Sequence, residues 1–137
     1  MTWVELHRQS ELLASAAESS LRSGDITRAE FLYARAADWE TQALEATPPD
    51  KLRTLGITAV SAAALWYKAK QFGKSEGLAY RFVARPDLPN FAKSQLKDLL
   101  QAIGQKAAGR PAVPSASQSG AIGPQSSESV SRRLLAA

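Results

Sequence analysis

The chain has no cysteine, one histidine and one asparagine in 137 residues. Without cysteine there can be no disulfide, no thiol nucleophile and no thiolate metal site. His7 stands alone, so no second imidazole is available to complete a zinc-type site with it. Between Glu5, Arg8 and Glu11 it is expected on an outer, solvated helical face. No glycine-rich phosphate loop is present, because Gly104 and Gly109 fall in a linker-like stretch. Carboxylates at four-residue spacing have arginine or lysine neighbours, the pattern of surface ion pairs. Together these absences predict a protein that is not an enzyme and has no cofactor and no metal. β-branched residues are sparse and no stretch alternates with period two, which excludes an extensive sheet. The start, MTWVELHRQSELL, lacks a basic segment leading into an apolar one, so no secretory signal is visible and a cytoplasmic location is expected.

What is present is helical. Lys51 to Phe72, KLRTLGITAVSAAALWYKAKQF, reads as a central helix that is apolar over most of its circumference, a pattern that belongs to a buried helix or a membrane span. Lysines and arginines at both ends leave it short of the roughly 20 apolar residues a span needs, so burial is expected and no membrane association. Before it, Thr2 and Glu5 form a capping box opening helix one (Trp3 to about Ser23), and Gly24 supplies a left-handed stop. Thr27 with Glu30 predicts a second box, with Ile26 and Phe31 as a hydrophobic staple, for a helix ending near Ala46 ahead of Pro48 and Pro49. After the central helix, Gly73 is the expected stop. A short fourth helix should cover Lys74 to Ala84. A fifth, with the stripe Leu88, Ala92, Leu96, Leu99 and Ile103, completes an all-α fold of about five helices. From Gly104 the composition turns to proline, glycine, serine and glutamine, predicting a helical domain over residues 1–103 and a disordered tail over 104–137.

Charge is distributed unevenly. Residues 1–50 carry four arginines against nine acids, net −5, whereas residues 51–110 carry eleven basic residues against three acids, net +8. The halves can attract one another within the fold, pair between copies as a homo-oligomer, or present a basic face to an acidic partner. Lys70, Lys74, Arg81, Arg85, Lys93 and Lys97, together with Lys68, are candidates for a phosphate-binding stripe, giving a nucleic-acid-associated accessory protein as the alternative function. The terminal Leu135, Ala136 and Ala137 look like the end of the trans-translation tag and are a candidate degradation signal, although three small apolar residues also arise by chance.

Leu13, Ala17, Gly24, Ile26, Ala29, Tyr33 and Ala36 stand at the spacings of a tetratricopeptide repeat, and this hairpin resembles that family. A shift of 46 residues gives a degenerate second copy, Ala59, Ala63, Lys70, Phe72, Ser75, Ala79 and Phe82. The period exceeds the family's usual 34. Helices one to three also resemble, more weakly, a microtubule-interacting and trafficking domain. The tetratricopeptide likeness implies two antiparallel hairpins capped by helix five, acting as a small adaptor that binds a peptide or helix of a partner protein. By position, its groove is Glu11, Ala14, Glu18 and Arg22 from helix one with Ile57, Val60, Ala64, Tyr67 and Lys68 from the central helix. The competing expectation is that Ile57, Val60 and Tyr67 face helix five and close the groove, or that the chain is an obligate subunit of a larger complex. Trp66 is expected in the core and Trp3 exposed, as a contact for a partner or a second copy.

Overall fold

The computed structural model describes residues 1–108 and contains five helices, α1 (Trp3–Arg22), α2 (Ile26–Ala46), α3 (Leu52–Lys68), α4 (Phe72–Val83) and α5 (Asn90–Ala108). There is no strand among the described residues, so the fold is all-α as the sequence implied. The Thr2 hydroxyl accepts from the Glu5 amide at 3.2 Å and the Glu5 carboxylate accepts from the Thr2 amide at 2.9 Å, which completes the first capping box. The second box does not form. Asp25 caps α2 instead, its carboxylate accepting from the Arg28 amide at 3.1 Å. An aspartate placed directly after the left-handed Gly24 reaches the free amides before Thr27 can. Ile26 and Phe31 are both exposed, so there is no staple.

The turn that ends α1 is repeated at the end of α3. At the first, the Gly24 and Asp25 amides donate to the carbonyls of Leu21 and Ser20 at 3.0 and 2.9 Å. At the second, Lys70 and Gln71 donate to Tyr67 and Trp66 at the same distances. Gly24 has φ +85° and Lys70 φ +65°, so a lysine holds the left-handed position that a glycine holds 46 residues earlier. This corrects the expected boundary: α3 stops at Lys68 rather than Phe72, and Gly73 lies inside α4. The return of α4 onto α3 fixes the strained turn. Ser75, fully buried like Ala29 at the matching place in the first hairpin, donates to the Ala63 carbonyl at 2.7 Å. Phe72 packs edge-on against Tyr67, with 5.3 Å between centroids.

The helices form two antiparallel pairs, α1 with α2 and α3 with α4, joined by α2 against α3; α5 then packs on α3 and α4. Leu88, Ala92, Leu96, Leu99 and Ile103 of the α5 side are all buried. Full burial of a leucine such as Leu96 or Leu99 is worth about 1.5–3 kcal/mol. The helix runs five residues beyond the expected end at Ile103, because Gly104 sits on its exposed face and interrupts nothing. α3 and α5 approach closely at Gly56, where an added Cβ would stand 2.9 Å from that of Ala92. No described helix is long and apolar enough to cross a membrane.

The two turns make the same demand on different residues, since a side chain in the left-handed position costs about 1–2 kcal/mol. Lys70→Gly should therefore raise the unfolding free energy by about 1 kcal/mol, after the larger backbone entropy of glycine in the unfolded chain is subtracted. Gly24→Ala should lower it by a similar amount. Urea denaturation of both variants measures the pair; equal and unchanged midpoints would show that neither turn is strained.

Candidate functional site: the cleft between the first helices of the two hairpins

α1 and α3 are both packed on α2 but make little contact with each other. Between them lies a cleft of about 480 Å³. One wall is the α1 stripe Trp3, His7, Ser10, Glu11, Ala14, Ser15 and Glu18; the other is Ile57, Val60, Ser61 and Leu65 of α3. Glu40 of α2 lines it from between them, and Phe91 and Gln95 of α5 add to its margin. The two walls are tied at one end by the Trp3 indole N–H, which donates to Thr58 Oγ1 at 3.1 Å, while Thr58 itself donates to the Thr54 carbonyl at 2.7 Å.

Glu40 is 1 % exposed, yet it is a carboxylate on the packing stripe of α2. His7 Nδ1 lies 2.9 and 3.1 Å from its two oxygens. His7 Nε2 faces Glu11 Oε1 at 3.4 Å, and its ring stacks on Trp3 with 4.7 Å between centroids. Burial pushes the Glu40 carboxyl above the ordinary carboxylate range; hydrogen bonds from His7 and Ser61 oppose the shift, and the charge of Glu11 adds to it. One carboxylate thus receives groups from α1 and α3 at the place where the three helices meet. Which partner of the His7–Glu40 bond donates follows the proton: imidazole N–H to carboxylate, or carboxyl O–H to imidazole nitrogen.

Five of the expected groove residues come together here: Glu11, Ala14, Glu18, Ile57 and Val60. Four do not. Ala64 is fully buried and Tyr67 is 6 % exposed, both in the core that contains the α5 leucines. α5 covers the α3 face bearing residues 64 and 67, so the neighbouring row, 57, 61 and 65, meets the cleft, with Val60 bordering both the core and the cleft. Arg22 lies exposed in the last turn of α1, and Lys68 Nζ sits 5.6 Å above the Tyr33 ring. The Tyr33 hydroxyl, buried without a hydrogen-bond partner, is pushed up to about 12 by burial, with Glu18 adding to the shift and Arg22 opposing it. α5 therefore narrows the groove without filling it.

Trp3 and His7 differ from expectation. Trp3 is half-buried as the tie between the walls, not an exposed contact, and His7 is the partner of a buried carboxylate rather than a solvated side chain. Glu40, Ser61, Phe91 and Gln95 were not singled out from the sequence. A signal existed for the first: Tyr33, Ala36, Ala37, Glu40, Ala43 and Leu44 form one buried helical row, and Glu40 interrupts it. Trp66 is in the core as expected, its indole donating to Thr41 at 3.1 Å.

The candidate phosphate-binding residues are scattered over the α3–α4 turn, α4, α5 and the connection between α4 and α5. Lys74 lies 4.4 Å above Trp66, Arg81 pairs with Glu45 at 2.9 Å, and Arg85 makes a two-point contact with Asp87. That pairing, chiefly its hydrogen bonds, holds the Asp87 carboxyl below the ordinary carboxylate range. Lys93 donates to the Pro86 carbonyl at 3.0 Å, and Lys70 and Lys97 are exposed. No group of three metal-binding side chains occurs among the described residues. Leu135, Ala136 and Ala137 lie outside them. No protein-family model matches the chain, and comparisons with curated proteins and with solved structures gave no match.

Because the folded Glu40 holds its proton to higher pH than the unfolded one, the native state binds more protons between the two pKa values, and stability falls as pH rises through that window. The unfolding free energy of the wild type minus that of Glu40→Gln should therefore decline from about pH 4.5 upward and level off above the raised value. Denaturation curves of both proteins across pH 4–8 measure it, and parallel profiles would contradict it.

Proposed function

We propose that the protein is a non-catalytic interaction module, a small cytoplasmic adaptor of tetratricopeptide-like build, whose α1/α3 cleft receives a peptide segment of a partner protein. The observation carrying this reading is the open cleft itself, formed by the first helices of two hairpins whose turns share one hydrogen-bond pattern. Helices packed this way leave side chains of two rows facing a common space, and extended or helical peptides bind such spaces through a few anchoring side chains. The three-helix alternative accounts less well for α4 and α5, which share one core cluster with α3.

His7 with Glu40 has the look of a catalytic pair, since a buried carboxylate beside an imidazole can orient a base. The geometry favours a structural role. Ser61, one of the hydroxyls lining the cleft, hydrogen-bonds to Glu40, the carboxylate, rather than to the imidazole that would have to act as its base.

An immobilised full-length chain, with Ile57→Arg as the comparison, tests the proposal. Ile57 is half-buried at the cleft, and an arginine there should obstruct it while leaving the core intact. A protein band captured from lysate of the source cells by the wild type in moderate salt should fall at least tenfold with the variant, at an unchanged far-ultraviolet spectrum. Equal capture by both contradicts the cleft as the binding surface. Nucleic acid released at low salt, without a salt-resistant band, would move the function to the basic residues of α4 and α5.

A further inference from the structure

We infer that the cleft accepts an arginine or lysine side chain of the partner segment, its cation placed between Glu11 and Glu18 and its aliphatic stem against Ile57 and Phe91. This rests on the peptide-groove reading and adds the chemistry of the anchor. The first ground is sign. Three carboxyl groups, Glu11, Glu18 and Glu40, line the cleft and no lysine or arginine does. Arg53, in the first turn of α3, lies 5.6 Å over the Phe91 ring, at the margin.

The second ground is the state of those carboxylates. Glu40 is occupied by His7 and closed off from solvent. Glu11 meets only the far nitrogen of His7, at 3.4 Å, and its side chain is 68 % exposed. Glu18 forms no ion pair among the described residues, although Arg22 stands one turn away on the same helix. Glu11 and Glu18 stand two helical turns, about 10 Å, apart along α1, and their carboxylates present acceptors to the cleft that the fold does not consume. Exposed carboxylates gain little from one another, but a guanidinium or ammonium entering a partly enclosed site gains charge-assisted hydrogen bonds to them.

The third ground is shape. A volume of about 480 Å³ lies in the lower part of the range for small-ligand pockets and is too small for a whole helix. It suits one or two long side chains. The lining opposite the glutamates is Ile57, Val60, Leu65 and Phe91, and a lysine or arginine stem buries well on such a surface while its charged head reaches polar groups. An acidic or purely apolar anchor would leave Glu11 and Glu18 facing like charge or desolvated without compensation.

Calorimetric titration of the full-length chain with two end-blocked hexapeptides, one alternating leucine with arginine and one alternating leucine with glutamate, tests this, with the Trp3 indole N–H followed by nuclear magnetic resonance. The arginine peptide should bind at least tenfold more tightly than the glutamate peptide and shift the Trp3 signal. Glu11→Gln with Glu18→Gln should weaken it at least tenfold, whereas Glu76→Gln on exposed α4 should leave it unchanged. Both cleft substitutions are on exposed positions, so a preserved thermal transition establishes folding. Equal affinity for both peptides, or no loss in the double variant, overturns the inference. Tighter binding of the glutamate peptide with a Trp3 shift overturns the cation while leaving the groove reading standing. A concentration-dependent dimer in sedimentation that the arginine peptide does not dissociate overturns it by making a second copy the occupant.

Discussion

The structure depends on enclosing one helix. From Leu55 to Tyr67, α3 offers only Ile57 and Ser61 to partial exposure; the rest is buried. A helix so apolar must be covered on nearly every side, and the chain supplies α2 on one flank with α4 and α5 on the others. Small residues make this possible. Ala59, Ala62, Ala63 and Ala64 are all fully buried, and Gly56 lets α5 cross with its Ala92 methyl close to the α3 backbone. Close approach at these points replaces bulk as the source of packing contacts.

The cleft follows from that enclosure. With α2 between them, α1 and α3 are held apart at a separation set by packing on a common neighbour, and the space left over is bordered by Ile57 and Ser61, the two positions between Leu55 and Tyr67 that α3 does not bury. Glu40 is where the compromise shows. A carboxyl in this place carries a desolvation cost that His7 and Ser61 only partly offset. In return it receives one polar group from each flanking helix, which fixes α1 and α3 in register across α2. Trp3, donating to Thr58, does the same at the end of the cleft. The walls are therefore positioned by polar contacts of defined geometry rather than by apolar surface alone.

Much of this was legible in the sequence, at the level of elements. Helix number, the α1 capping box, the burial of α3 and the α5 stripe follow from periodicity and end signals that act over a few residues. Boundaries failed where two local signals competed. Gly73 looks like a stop, but Lys70 takes the left-handed position because the return of α4, with Ser75 on Ala63, dictates where the turn must be. Thr27 looks like a cap, but Asp25 comes first. The site was legible in part. Glu11, Ala14, Glu18, Ile57 and Val60 were carried over by position from the tetratricopeptide resemblance and line the cleft, whereas Ala64 and Tyr67 were misplaced because the rotation of α3 depends on how α5 packs, which no local pattern encodes. His7 and Glu40 are 33 residues apart in sequence, and their pairing exists only once α1 and α2 have packed.

The openness of the cleft in solution is the point on which the functional reading turns. Isoleucine methyl labelling with a soluble paramagnetic relaxation agent measures it directly, and the fold contains its own standards: Ile103 is 5 % exposed and Ile26 is 58 % exposed. An open cleft predicts that the Ile57 methyl is relaxed clearly more than that of Ile103 and less than that of Ile26. Relaxation of Ile57 as weak as that of Ile103 would mean that α1 and α3 close on each other, and that no groove is available to a partner.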